Sequence, residues 1–177
     1  QSFNELEFEM KMNDDIQIGQ DFTILLGITN KSEENTHIVK GQISCDSILY
    51  TGFVSERIMS MEFKVELLPQ QTESVRFEVK FEDYFKKLSS QGLLKISSFA
   101  TVKDSDYQYF AQNDFRVRKP DIEFNFQGKV VSKQAVDVVV TLKNPLSIPL
   151  SKGTFKIEGP GIKTPLVFEV SCSYRTL

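Results

Sequence analysis

Few residues in this chain have the type and spacing to do chemistry. The one His, His37, and Cys45 share a strand parity, so their side chains point to one face. Eight strand residues separate them by roughly 26 Å, too far for a nucleophile and its base. His37 therefore reads as a strand-entry residue. The second Cys, Cys172, is distant in sequence, and two Cys do not make a disulfide framework; both read as reduced, partly buried thiols. Two Cys and one His fall short of the four ligands of a structural zinc site. The acidic pairs Asp14-Asp15 and Glu33-Glu34 could offer loop carboxylates to calcium, but they repeat no ligand spacing and read as solvated turns. No GxGxxG or GxxxxGK[ST] is present, and Gly159-Pro160-Gly161 reads as a turn, not a phosphate cradle. Asn30-Lys31-Ser32 fits a glycosylation sequon, a triplet common by chance. The residues thus point to a non-catalytic chain with no cofactor site of its own.

The elements behind these residues are strands. Phe3, Leu6, Phe8, Met10 and Met12 nearly alternate with polar residues. The same period recurs over Phe22–Ile28, Val39–Cys45, Met59–Leu67, Val75–Phe81, Leu93–Val102 and Tyr107–Val117. Glu82–Ser90 is the one short-helix candidate, with Gly92 as its stop. Arg118-Lys119-Pro120 breaks the pattern and reads as a linker. Four further strands follow: Ile122–Phe126, Val136–Leu142, Gly153–Glu158 and Val167–Cys172. Seven strands before the linker and four after it predict an all-β chain of sandwich or barrel modules. The stretch Asp21–Gly52 is the organising one: two alternating runs, joined by the polar loop KSEENT, predict a hairpin-like antiparallel pair.

The second half echoes the first. DFTILLGITN parallels VDVVVTLKN, each predicted as a buried strand ending in Asn at a turn, where that side chain can bond its own backbone. Lys40-Gly41-Gln42-Ile43 then parallels Lys152-Gly153-Thr154-Phe155. Tandem modules over 1–117 and 118–177 follow, the second about three strands short. A half sandwich leaves an apolar face and strand edges uncovered. The second module is accordingly expected to be incomplete and marginally stable alone, its C-terminus alternative sequence, or the chain cut from a longer one.

Bulk properties exclude some partners. With 177 residues and a net charge of −3, there is no basic excess to neutralise phosphates, so nucleic acid is not expected as a partner. No apolar run is long enough to span a bilayer as a helix, so membrane insertion is not expected either. The compartment stays open between cytoplasmic and extracellular, with a lean to cytoplasmic because no leader-like apolar segment or disulfide pattern is seen.

The run GQDFTILLGITNKSEENTHIVKGQISCDSILYTG resembles the first C-terminal β-barrel of animal transglutaminases, whose strands carry an I-T-N turn and, later, a Tyr-Thr-Gly or Tyr-Asn-Gly end. RKPDIEFNFQGKVVSKQAVDVVVTLKNPLSIPLSKGTFKIEGPGI resembles the second, with its N-P-L turn and E-G-x-G. The likeness extends to about Val170; Ser171–Leu177 departs from it. It implies tandem immunoglobulin-like β-barrels from a parent that cross-links glutamine side chains to lysine or other amines under calcium activation. The catalytic Cys, His and Asp would lie in an upstream core, which Cys45 and His37 do not match. Tyr50 is the residue that carries over, as the family tyrosine whose hydroxyl contacts the catalytic Cys in the closed, latent form. The implied role is docking on that core and shielding it. Calcium would belong to the core and no cofactor to this chain. Protein substrates or a homodimer partner are further candidate partners. Some family members bind guanine nucleotide through arginines here replaced by Glu9-Met10-Lys11 and Gln112-Asn113-Asp114, so that regulation is expected to be lost. The rival expectation is a free-standing immunoglobulin-like adhesion or scaffolding module. Sequence upstream of Gln1 would separate the two, by the presence or absence of the Cys/His/Asp core.

Overall fold

The structure, a computed structural model, describes residues 4–171. Phe3, Cys172 and all of the divergent Ser171–Leu177 stretch beyond Ser171 lie outside the described residues. The chain divides into two compact units, Gln1–Lys119 and Pro120–Leu177.

The described residues of the first unit form seven strands in two antiparallel sheets. One sheet has the order β1-β2-β5, from Leu6–Met12, Phe22–Asn30 and Thr72–Val79. The other has the order β4-β3-β6-β7, from Val54–Leu67, His37–Ile48, Leu93–Val102 and Gln108–Arg116. Period-2 alternation supplies the inner faces. Ile24, Leu26 and Ile28 of β2 and Val39, Ile43 and Cys45 of β3 are all fully buried. Facing strands of this kind make an immunoglobulin-like sandwich core.

The predicted hairpin between the two runs of Asp21–Gly52 is not formed. Strand β2 pairs with β1 and β5, whereas β3 pairs with β4 and β6. An alternating pattern is satisfied equally by strands that neighbour each other and by strands that face each other across a core. The polar loop 31–36 crosses between the sheets, and it is long enough to bridge their ~10 Å separation.

Asn30 locks that crossing. Its Oδ1 accepts from Ser32 N at 3.0 Å, closing the local turn read from sequence. Its Nδ2 donates to the carbonyls of Asn35 (2.8 Å), Leu67 (3.1 Å) and Leu68 (3.1 Å), tying the corner to the end of β4. The nitrogen that a glycan would need is thus engaged, and the residue is fully buried.

The helix is shorter than predicted. It spans Phe81–Tyr84 (α1) and runs on as a turn to Leu88, whose N–H bonds Tyr84 O at 2.9 Å, before the chain leaves the helical path. Ser89 turns instead to β3, where its N–H donates to Ser47 Oγ at 3.2 Å and its hydroxyl to Ile48 O at 3.2 Å. Gly92, at φ +69°, closes a turn onto Ser89 O rather than capping the helix. Tyr84 is fully buried; its hydroxyl donates to Gln20 O at 2.8 Å and accepts from Gly19 N at 3.1 Å. That bond pair pins α1 to the entry of β2.

The second unit contains two antiparallel ladders, β8 with β9 (Ile122–Gln127, Asp137–Leu142) and β10 with β11 (Gly153–Ile157, Leu166–Val170). Register places Ile122, Phe124 and Phe126 opposite Leu142, Val140 and Val138, an apolar face. Phe155 and Ile157 lie opposite Phe168 and Leu166 on another. No described residue after Val117 is buried. The prediction of a buried strand at VDVVVTL is therefore corrected, because burial comes from a facing layer and not from the strand's own composition. Asn144 repeats the local turn all the same: Oδ1 accepts from Leu146 N at 3.0 Å, and Nδ2 donates to Ile148 O at 2.9 Å.

Candidate functional site

Strands β3 and β4 form the hairpin that matters, and its tip is the five-residue loop 49–53. Leu49 N donates to Phe53 O at 2.9 Å, and Gly52 N to Leu49 O at 2.8 Å. Gly52 sits at φ +87°, where a side chain would be strained. Register shifts between Cys45 and Asp46 and between Ser47 and Ile48 mark irregularities at the end of β3. Bulges of this kind sharpen twist and re-aim the strand end. Beside the first shift, the nearly buried Asp46 carboxylate accepts from Arg57 Nε at 2.8 Å and from Arg57 Nη2 at 3.4 Å, fixing β3 to β4.

Three side chains from outside the hairpin support this tip. Tyr50 N donates to Gln91 Oε1 at 2.9 Å, and Lys95 Nζ donates to Gly52 O at 3.3 Å. Lys87 Nζ donates to Arg57 O at 3.2 Å. The connection from α1 to β6 thus straps the hairpin end in place.

Against this held backbone, the side chains are free. Tyr50 is 77% exposed and Phe53 75%, the two most exposed large hydrophobics among the described residues. Leu49 and Val54 flank them, also exposed. The Tyr50 hydroxyl has no hydrogen-bond partner among the described residues, so a phenol donor and acceptor is available to another surface. Tyr50 was legible in the sequence through resemblance; Phe53 was not singled out there, and its exposure in the folded loop reveals it. Gln91 and Lys95 carried no local signal, because only the fold brings them to the loop.

The other sequence candidates lie elsewhere. Cys45 is a fully buried free thiol; burial, and secondarily the Asp46 carboxylate, push it up to about 12. A thiol so held stays protonated and is a poor nucleophile. His37 opens β3, as read from sequence, and its Nε2 lies 2.6 Å from Glu5 Oε2. Asn35 Nδ2 donates to the same carboxylate at 3.3 Å. Asp15 takes an ion pair with Arg118 at 2.8 Å. No group of three His, Cys, Asp or Glu gathers among the described residues. Of the two stretches Glu9-Met10-Lys11 and Gln112-Asn113-Asp114, the second reaches β1 one residue past the first: Asn113 Nδ2 donates to Met12 Sδ at 3.2 Å, across the β1–β7 seam. No described helix is long and apolar enough to cross a membrane.

Residues 6–112 match the family model described as the transglutaminase family, C-terminal ig like domain. The chain belongs to that family. Annulin of Schistocerca americana is 42% identical over 162 residues, which is 92% of this chain and 21% of annulin. A hemocyte protein-glutamine gamma-glutamyltransferase of Tachypleus tridentatus is 34% identical, over 90% of this chain and 20% of that protein. Protein-glutamine gamma-glutamyltransferase K of Canis lupus familiaris is 30% identical over 88% of this chain and 19% of that protein. The chain therefore spans about a fifth of the length of these relatives. The crystal structure of red sea bream transglutaminase superposes with a TM-score of 0.76 at 16% identity, covering 95% of this chain and 25% of that one, which supports the fold.

Proposed function

We propose that this transglutaminase C-terminal region acts as the regulatory part of a protein-glutamine gamma-glutamyltransferase. It docks on the catalytic core and shields it, with Tyr50 at the contact, and it swings away on activation. The observation that carries this reading is the combination at the loop 49–53: a backbone tethered at both ends and from below, and a phenol ring left in solvent. Exposed aromatic rings on ordered loops are favourable anchors, since little conformational freedom is lost on docking. A phenol hydroxyl can hydrogen-bond a thiol, and its ring can fill an acyl channel.

The chain itself does not catalyse in this reading. Its one described thiol is buried and protonated, and its His pairs with Glu5. Calcium acts on the core, and guanine nucleotide has no matched arginines to bind at the β1–β7 seam. Tyr50→Phe in the full-length protein keeps the ring and removes the hydroxyl. It is expected to raise basal acyl transfer or to lower the calcium needed for activation. Unchanged values of both would remove Tyr50 from the contact.

A further inference from the structure

We propose that Phe53 is a second docking residue beside Tyr50, and that Gln91 and Lys95 are positioning residues that hold the backbone carrying both rings. The proposal rests on the reading above. Its one occupant is an apolar cleft in the catalytic part of the same polypeptide, of a size to take two aromatic rings. The relatives matched here extend about four-fifths of their length beyond the shared stretch, which is where such a cleft would reside.

The loop's closure places the two rings on one turn. Leu49 N bonding Phe53 O at 2.9 Å brings the loop's ends together, so residues 50 and 53 leave one tight turn. At 77% and 75% exposure, neither ring is substantially covered by its own domain. Leaving two large apolar side chains in water at adjacent points forgoes the stabilisation of burying them. Gln91 Oε1 accepts from Tyr50 N at 2.9 Å, and Lys95 Nζ reaches Gly52 O at 3.3 Å, so one support lies under each side of the turn. Ordering the loop before docking lowers the entropic cost of the contact. Central aromatic anchors carry most of the energy of such interfaces.

Four variants of the full-length protein, beside Tyr50→Phe, test this. Phe53→Ala is expected to raise basal acyl transfer about tenfold, the scale of losing one buried aromatic anchor, with the melting temperature of this chain by itself unchanged because the ring is exposed in it. Gln91→Ala is expected to raise it several-fold, whereas Gln91→Glu keeps an oxygen acceptor for Tyr50 N–H and should retain latency. Phe53→Cys is expected to react slowly with a maleimide in the resting protein and quickly after activation, read by mass spectrometry of its own peptide. An effect of Tyr50→Phe with none from Phe53→Ala would overturn the second anchor and leave the docking reading standing. No effect from either would overturn both. Resting activity of Gln91→Ala equal to wild type, or loss of latency in Gln91→Glu equal to that in Gln91→Ala, would overturn the positioning role.

Discussion

Asn30 and Asn144 occupy the same place in the sequence repeat and make the same local bond, yet they sit in opposite surroundings. Each accepts a hydrogen bond from the N–H two residues on, at 3.0 Å. Asn30 is fully buried and serves three carbonyls, two of them 37 and 38 residues away. Asn144 is exposed and serves one, four residues away. The glycines of the same repeat differ in the same sense. A Cβ on Gly41 would meet Phe99 O at 2.3 Å and the Phe63 ring at 2.6 Å; on Gly153 the nearest contact is Val170 O at 4.0 Å. Local turn chemistry is thus shared by the two modules. What separates the positions is the packing around them: Asn30 reaches the end of β4 in the other sheet, and Gly41 is closed in by β4 and β6 of its own sheet, whereas no described residue of the second unit is buried.

The contrast can be broken by substitution. Asn30→Ala removes the donor to the carbonyls of Asn35, Leu67 and Leu68 and the acceptor for the N–H of Ser32, although Leu68 O keeps its bond from Gln71 N. It should destabilise the first unit by about 2–4 kcal/mol, against under ~1 kcal/mol for Asn144→Ala in its own unit. Urea unfolding followed by tyrosine fluorescence reads the first value directly, because four of the five tyrosines precede Pro120 and there is no Trp. Equal losses at the two asparagines would contradict the distinction. Gly41→Ala should cost about 1–3 kcal/mol by overpacking, since a backbone oxygen cannot step aside. Gly153→Ala should be neutral or stabilising by a few tenths of a kcal/mol in the exchange rates of β10 and β11 amides.

A smaller effect, per unit of pH, comes from Cys45. Its folded value, about 12, lies above the ordinary 9.0, so the folded state holds the proton more tightly. Stability from this group is fully present below pH 9. It is lost as pH rises from 9 towards 12, at up to ~1.4 kcal/mol per unit. Cys45→Ser should flatten that fall, and iodoacetamide should label Cys45 only as fast as the first unit opens.

The strands of the first unit were legible because each needs one apolar face, and Leu93–Val102 appears in the fold with the bounds read from sequence. Their pairing was not. Residues 22–48 look the same whether β2 and β3 are neighbours or opposed, and the deciding bonds, from Asn30 to Leu67 and Leu68, come from another strand. The helix stops short of Ser90 for a related reason: the chain from Ser89 on is drawn off to β3 by Ser89 and to the loop by Gln91. Tyr50 was named through family resemblance. Its exposure, and the side chains that hold its backbone, are properties of the folded hairpin.

The docking of the Tyr50 loop can be measured by nitration with tetranitromethane, comparing this chain with the resting full-length protein and using the buried Tyr84 as the internal reference. Tyr50 should nitrate readily in the chain, become protected in the resting full-length protein, and become reactive again on activation. Equal reactivity of Tyr50 in all three states would contradict its place at the contact with the catalytic core.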